Sequence, residues 1–98
     1  MASIFTKVIA GEVPARFVWK DEQSVALLSI NPLKPGHTLV VPRPAVDHWL
    51  DLDEGLMDHL IGIARIGRAQ KIAFQPEKVA LMIAGLEVRH VHLHVVPI

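Results

Sequence analysis

The chain has 98 residues, of which 51% are apolar and 20% charged, and ten basic side chains balance ten acidic ones. This length predicts one compact domain over residues 1–98, and the composition argues against disorder. The balanced charge argues against a broad basic surface for nucleic acid, and the absence of cysteine excludes disulfides and thiolate chemistry.

The apolar stretches are much shorter than a bilayer span, and Lys7 and Glu12 interrupt the region where a signal peptide needs an apolar run. We therefore expect a cytoplasmic protein without a membrane partner. The sequence stops at Ile98, in a predicted strand and directly after its richest motif, so we expect a natural C-terminal tail to be lacking here.

The N-terminal region predicts a short helix followed by a β-hairpin. Residues 3–9 have the apolar spacing of two helical turns, with Ser3 as the N-cap and Gly11 at the end. Residues 16–20 and 25–30 are β-branched or aromatic runs joined by a polar loop, which is typical of antiparallel strands.

The middle of the chain predicts a rigid loop, a third strand and one long helix. Residues 31–36 hold two prolines and a glycine, and residues 37–42 predict the strand. Asp51 and Glu54 have the spacing of a capping box, and apolar side chains recur at helical period from there to about Phe74.

Gly62 and Gly67 lie in the middle of this predicted helix. We expect Gly62 and Gly67 to let the helix lie close to a sheet, because each destabilises a helix by about 1 kcal/mol relative to alanine.

Two further strands, at residues 79–83 and 88–98, complete the predicted domain. Five strands with one short N-terminal and one long central helix predict an α+β domain. Its mostly antiparallel sheet is covered by helices on one face.

The strongest functional signal is a row of histidines in the last predicted strand. His90, His92 and His94 project from one face, because successive side chains of a strand alternate. The outer two lie about 13 Å apart at ~3.3 Å per residue, so all three rings cannot bind one metal ion without severe distortion. The row instead lines an elongated groove.

Three interpretations of this row are open. The rings are inert sheet histidines, or two of them join His37 and a water in a metal site, or they act on a phosphate. Carboxylates to complete a metal site are scarce, because Glu87 falls on the opposite face of an unbroken strand. Imidazole titrates near pH ~6.5, so one ring can attack while its neighbours hold anionic oxygens. Strict alternation of three histidines favours this last interpretation.

Three segments resemble the histidine triad family. Residues 90–97 (HVHLHVVP) match its defining H-φ-H-φ-H-φ-φ signature. Residues 4–15 (IFTKVIAGEVPA) resemble its N-terminal segment I-F-x-K-I-I-x-G-E-I-P-A, and residues 30–42 (INPLKPGHTLVVP) resemble its central segment I-N-P-x-x-P-G-H-x-L-V-I-P. The motifs follow the family's order and span almost the entire chain.

The resemblance implies a five-stranded antiparallel sheet with two helices, and a homodimer paired through the long helix and a strand. Family members bind purine nucleotides and transfer or hydrolyse at the α-phosphate. The implied partner is therefore AMP, a nucleoside phosphoramidate or a dinucleoside polyphosphate, with no cofactor.

The resemblance also implies roles for individual residues. His92 attacks phosphorus to give a nucleotidyl-histidine that water resolves. His94 and His37 contact the phosphate or the leaving group, and the backbone carbonyl of His90 fixes the tautomer of His92.

Further positions match the family's nucleotide contacts. Ile4, Phe5 and Val8 match positions around the base, and Asn31 matches a position near the ribose. From the sequence alone, packing of the helix against the core explains the first three equally well. Loop capping explains Asn31 equally well.

Two candidate nucleotide-binding residues depart from the family pattern. Ser29 stands where many members have an aspartate that grips the ribose hydroxyls, and it is a weaker, neutral partner. Glu87 stands at the phosphate-cradling position, where a carboxylate repels phosphate unless it points away or Arg89 offsets it. These departures place ribose and phosphate binding in question.

Some relatives bind zinc through two N-terminal cysteines, and Ser3 and Thr6 occupy those places, so we expect no structural zinc. We expect surface or helix-face roles for His48 and His59, which lie outside the motifs.

Three functional hypotheses follow from the sequence. The first is a nucleotide hydrolase or transferase that acts through covalent His92. The second is a purine-nucleotide binding module without catalysis, favoured by Ser29 and Glu87. The third is a metal-dependent hydrolase that uses the same histidines.

Overall fold

The computed structural model describes residues 3–98, in which five strands and three α-helices are arranged along the chain. The helices are α1 (Ile4–Ile9), α2 (Glu54–Ala64) and α3 (Gly67–Phe74), and a 3₁₀ turn lies at Trp49–Asp51. The strands are β1 (Phe17–Lys20), β2 (Ser24–Leu28), β3 (Thr38–Pro42), β4 (Val79–Ile83) and β5 (Leu93–Pro97). Across residues 3–98, no helix combines the length and the apolar character needed to cross a lipid bilayer.

The sheet has the strand order β1-β2-β3-β5-β4, and every neighbouring pair is antiparallel. The last strand of the chain therefore lies between β3 and β4. This arrangement confirms the predicted α+β fold with a five-stranded antiparallel sheet.

Helices cover both faces of the sheet, so the prediction of one covered face is wrong. On one face Ala26 and Val40 pack with Leu60 of α2. On the other face, Val25 and Leu27 of β2 and Leu39 and Val41 of β3 pack with Phe5 and Val8 of α1. Because β2 and β3 are apolar on both sides, each of them buries two opposite rows of side chains.

The predicted long central helix is present but is divided at residues 65–66. There the N–H groups of Arg65 and Ile66 donate to the carbonyls of Gly62 and Ile63, three residues back, which tightens the turn. The predicted cap at Asp51 is wrong, because the carboxylate that accepts the first-turn N–H of α2 belongs to Asp53.

The two central glycines differ. A Cβ at Gly67 would lie 2.9 Å from Cγ1 of Val79, so the expected close approach to the sheet is confirmed there. Gly62 is exposed and a Cβ there meets nothing within 4 Å, so the expectation is wrong for that residue.

The fifth strand begins at Leu93 and not at residue 88 as predicted. Two features of its neighbours explain the late start. Pro42, at the end of β3, has no N–H to donate, and its carbonyl accepts from the His90 ring instead. The Val91 N–H donates to the Val46 carbonyl, in the loop after β3. His90 and His92 consequently precede β5.

Candidate active site

The histidine row lies on the α1 side of the sheet. Val91, Leu93 and Val95 are buried in the core on the α2 side, so the intervening histidines face the opposite way. The ring centroids of His92 and His94 are 4.8 Å apart, and the Phe5 ring lies 5.0 Å from that of His92. The two-sided alternation predicted from the sequence is confirmed, although it extends beyond the strand itself.

The backbone fixes the proton of His92. Nδ1 of His92 lies 2.7 Å from the His90 carbonyl, which can only accept, so Nδ1 carries the hydrogen. In the neutral ring Nε2 then holds a lone pair. A Cβ on Gly85, whose φ is +74°, would lie 3.8 Å from Cε1 of His92, so this glycine brings the preceding loop beside the ring.

A second chain of hydrogen bonds fixes the proton of His94. The Leu33 N–H donates to Nδ1 of His37 over 3.1 Å, so neutral His37 carries its hydrogen on Nε2. That hydrogen is donated to Nδ1 of His94, 2.9 Å away. The neutral His94 ring therefore carries its own hydrogen on Nε2.

Burial favours the neutral forms of His37, His90 and His94. Burial lowers the pKa of His37 and, together with repulsion from His92 and His37, lowers the pKa of His94 to about 4. Burial also lowers the pKa of His90, aided by repulsion from His92 and opposed by the hydrogen bond to the Pro42 carbonyl.

The Nε2 atoms of His92 and His94 are open to the surface. Nε2 of His92 and Nε2 of His94 make no hydrogen bond within residues 3–98. Neither of them is a buried, unpaired atom, because Gln70 Oε1 is the only buried side-chain nitrogen or oxygen in these residues that has no partner. Both nitrogens therefore reach solvent, although His92 is only 7% exposed. An acceptor on His92 and a donor on His94 stand next to each other.

His90 joins the row to the start of α1. The ring is fully buried, and its Nε2–H donates to the Pro42 carbonyl over 2.7 Å. The Ser3 hydroxyl donates to Nδ1 over 2.7 Å and at the same time accepts the Thr6 N–H as the N-cap of α1. One serine thus fixes both the helix end and the histidine.

A model of the HIT domain matches residues 10–98 of the chain. The chain belongs to the histidine triad (HIT) family. An HIT-like protein of Methanocaldococcus jannaschii is 37% identical over 99 residues, which cover 96% of this chain and 77% of that protein.

Solved HIT structures share the fold. An HIT-like protein from Bartonella henselae, crystallised with an unknown ligand, superposes with a TM-score of 0.90 at 35% identity, covering 97% of this chain and 77% of that one. An HIT family hydrolase from Legionella pneumophila superposes with a TM-score of 0.83 at 27% identity, covering 97% and 91%. The resemblance read from the three motifs is confirmed.

The residues predicted around the base differ in exposure in this HIT protein. Phe5 and Val8 are buried in the core cluster beneath α1, as the packing interpretation has it, and Phe5 also contacts the rings of His90 and His92. Ile4 remains 46% exposed. Only Ile4 therefore offers a large free surface.

Ser29 and Asn31, the residues predicted near the ribose, lie at or near an open cleft of ≈ 610 Å³. Ser29 lines this cleft together with Arg16 and His37. Asn31 is exposed, and its N–H donates to Oγ of Ser29 over 3.3 Å. The cleft therefore brings a serine and an arginine next to His37.

The charged residues before the histidine row point outward. Glu87 is exposed, and the exposed Arg89 pairs with Asp47 over 3.3 Å. The guanidinium is therefore engaged with a different carboxylate and does not offset Glu87.

The geometry of the HIT histidines argues against the metal hypothesis. Nε2 of His37 and Nδ1 of His94 face each other across a hydrogen bond and do not converge on a third point. Within residues 3–98, no three His, Asp or Glu side chains are grouped to hold a metal ion. His48 caps the 3₁₀ turn and His59 of α2 pairs with Asp21, as expected for histidines outside the motifs.

Two polar residues beside the site escaped the sequence analysis. Ser3 was predicted as a helix cap only, because nothing local indicates its contact with a residue 87 positions away. Gln70 of α3 is buried behind His37 and His94. The sequence feature that could have indicated Gln70 is its spacing, because it follows Gly67 by three residues and so shares the side of α3 that faces the sheet.

Acidification is expected to destabilise the protein between pH 6.5 and about 4. Over this range the unfolded chain protonates His94 at its ordinary pKa of 6.5, whereas the folded ring stays neutral until about pH 4. The unfolded state then binds more protons, so the free energy of unfolding rises with pH across the window. Urea unfolding at successive pH values measures the slope.

His94→Gln isolates this contribution, since His37 and His90 shift in the same direction. We expect the variant to take up about one proton fewer on unfolding near pH 5. An unaltered slope in the variant would show that His94 titrates equally in both states.

Proposed function

We propose that this protein cleaves a bond at the α-phosphorus of a purine nucleotide, with His92 as the nucleophile. The observation that carries the proposal is the Nε2 of His92, which lies opposite the Nδ1–H held by the His90 carbonyl, beside the Nε2 of His94, in rings whose centroids lie 4.8 Å apart. A lone pair to attack phosphorus and a donor for the departing group thus lie side by side. The Legionella relative, a hydrolase by name, supports the reaction class.

The reaction proceeds in two displacements. Nε2 of His92 attacks phosphorus, the bond to the leaving group breaks, and the leaving group, hydrogen-bonded to His94, departs with the electron pair and takes up a proton from solvent. Water then attacks the nucleotidyl-histidine, the P–N electron pair returns to His92, and the second proton of that water is released to solvent. Overall one water is consumed, its hydroxyl going to phosphorus and its hydrogen to the leaving group.

His37 and His90 act indirectly in this proposal. Both ring nitrogens of each are engaged within the protein, so neither ring has a nitrogen left for the phosphate. His37 therefore orients His94. The His90 carbonyl holds the tautomer of His92, and the His90 ring anchors that carbonyl against Pro42.

Two regions are assigned to the nucleotide. The purine base packs on α1, where Ile4 is exposed and Phe5 lies against the His92 ring, and Val8 supports that helix from the core. The ribose is assigned to the cleft with Ser29 and Asn31.

Glu87 does not obstruct a phosphate at the histidine row in this proposal. Its carboxylate is exposed and points outward from the loop that precedes the row. The proposal therefore includes both nucleoside phosphoramidates and dinucleoside polyphosphates as substrates.

The proposal is tested with adenosine 5′-phosphoramidate. Chromatography is expected to detect AMP release that persists after treatment with a chelator. Binding of AMP in calorimetry without AMP release would favour the binding module, the hypothesis that rests on Ser29 and Glu87. Loss of turnover on chelation would favour the metal-dependent hydrolase.

We also propose a homodimer through β4. This strand lies at the edge of the sheet, and its Leu81 and Met82 are 51% and 46% exposed. An open, apolar strand edge is a template for pairing with a second copy. Leu81→Lys is expected to convert the dimer to a monomer in analytical ultracentrifugation. A dimer of unchanged affinity would place the contact elsewhere.

A further inference from the structure

A buried amide lies directly behind the paired histidines. The side chain of Gln70, on α3, is 6% exposed. Its Nε2 lies 2.8 Å from the Gly36 carbonyl, 3.0 Å from the Val95 carbonyl and 3.2 Å from Oγ1 of Thr38. The amide therefore links α3 to β3, to β5 and to the loop before β3.

The two carbonyls flank the paired histidines along the chain. Gly36 precedes His37, and Val95 follows His94. The ladder between β3 and β5 extends only to the pair of Thr38 and Val95, so β5 does not hold the backbone of His37. The amide of Gln70 spans this opening.

The remaining atom of the amide argues against a role in packing alone. Oε1 of Gln70 is buried and has no partner within residues 3–98. An apolar side chain of similar size fills such a space without an unsatisfied acceptor, so a glutamine is unfavourable there unless its N–H groups serve a purpose.

We propose that Gln70 is a positioning residue, whose amide holds the Gly36 and Val95 backbones at the separation that lets His37 donate to His94. This inference rests on the proposed function, because it gives the amide the task of keeping the His94 Nε2–H directed at the leaving group. Without the amide the two backbones separate, the His37–His94 hydrogen bond is lost, and His94 populates both tautomers. Misplacement by about 1 Å is enough to slow an enzyme by up to ~10²-fold.

Gln70→Leu and Gln70→Met test the proposal. Both remove the amide at nearly constant volume, and the unbranched methionine follows the path of the native side chain if leucine prevents folding. Arg68→Leu changes an exposed residue of the same helix and is the control. Nitrogen-15 NMR of the imidazoles reports the tautomers of His37 and His94 without any substrate.

We expect one Nε2–H tautomer for His94 in the wild type and in the control, and a mixture of tautomers in both Gln70 variants. With adenosine 5′-phosphoramidate, kcat should fall at least about tenfold while KM stays within about twofold. Unchanged histidine spectra overturn the proposal, even if the melting temperature falls, because the amide then serves stability alone. Altered spectra in a protein that turns over no nucleotide reject the proposed function and retain the positioning role.

Discussion

His92→Ala is expected to lower turnover of adenosine 5′-phosphoramidate on the order of 10⁴-fold while AMP binding stays within a few-fold of the wild type. The variant lacks the only ring nitrogen of the row that is fixed as an open acceptor, so no nucleotidyl intermediate can form. Binding survives because the contacts assigned to base and ribose lie on α1 and in the cleft. Steady-state kinetics and calorimetry measure the two quantities.

The covalent intermediate gives a second, independent measurement. Denaturing quench during turnover, followed by mass spectrometry, is expected to detect a nucleotidyl adduct on His92 in the wild type and no adduct in His92→Ala. His48→Ala, at an exposed histidine outside the row, is the control and should retain full activity. Turnover by His92→Ala within tenfold of the wild type would end the nucleophilic role.

His90→Ala is expected to reduce the free energy of unfolding by about 3 kcal/mol or more. The ring is fully buried, and its removal leaves a cavity beside Phe5. It also leaves the Pro42 carbonyl and the Ser3 hydroxyl without their partner. The cavity and the two unpaired polar groups destabilise the native state together, which urea unfolding measures.

Two controls separate these contributions. Ser3→Ala removes the hydroxyl and leaves the ring, so we expect a loss of about 1 kcal/mol, the size of a lost helix cap. His48→Ala changes an exposed ring that caps only the 3₁₀ turn, and should cost no more than about 1 kcal/mol. If His90→Ala is no less stable than Ser3→Ala, the buried ring does not anchor α1.

Features with a local cause were predictable from the sequence. The alternation of His90, His92 and His94 with valine and leucine fixes which residues share a face, since a period of two depends only on extended backbone. The first helix, with Ser3 as its cap, and the hairpin follow from equally local signals.

Features that depend on a distant partner were not predictable. The start of β5 depends on Pro42, 48 residues before His90, which has no N–H to continue the ladder. The contact partner of Gly67, which is Val79 of β4, likewise belongs to a separate element. Neither partner is visible in a local pattern.

The sequence predicted which residues form the site, but it did not predict which ring nitrogens of the histidines carry hydrogens. Sequence motifs identify His37 and His94, whereas the tautomers of these two rings depend on the direction of the Leu33 N–H, which the motif of residues 30–42 does not specify. The same limit applies to Gln70, because its acceptors come from two distant segments, residues 36–38 and Val95.

The placement of β5 has a consequence for biosynthesis. β5 follows the other four strands along the chain yet lies between β3 and β4, so a nascent chain that has not reached residue 93 has β3 and β4 without their shared neighbour. Such an intermediate exposes the unpaired edges of β3 and β4. Because β3 is apolar on both faces, the intermediate is prone to aggregate. Premature termination before residue 93 therefore removes an interior strand of the sheet together with His94, and the histidine row is completed only when the fifth strand has been made.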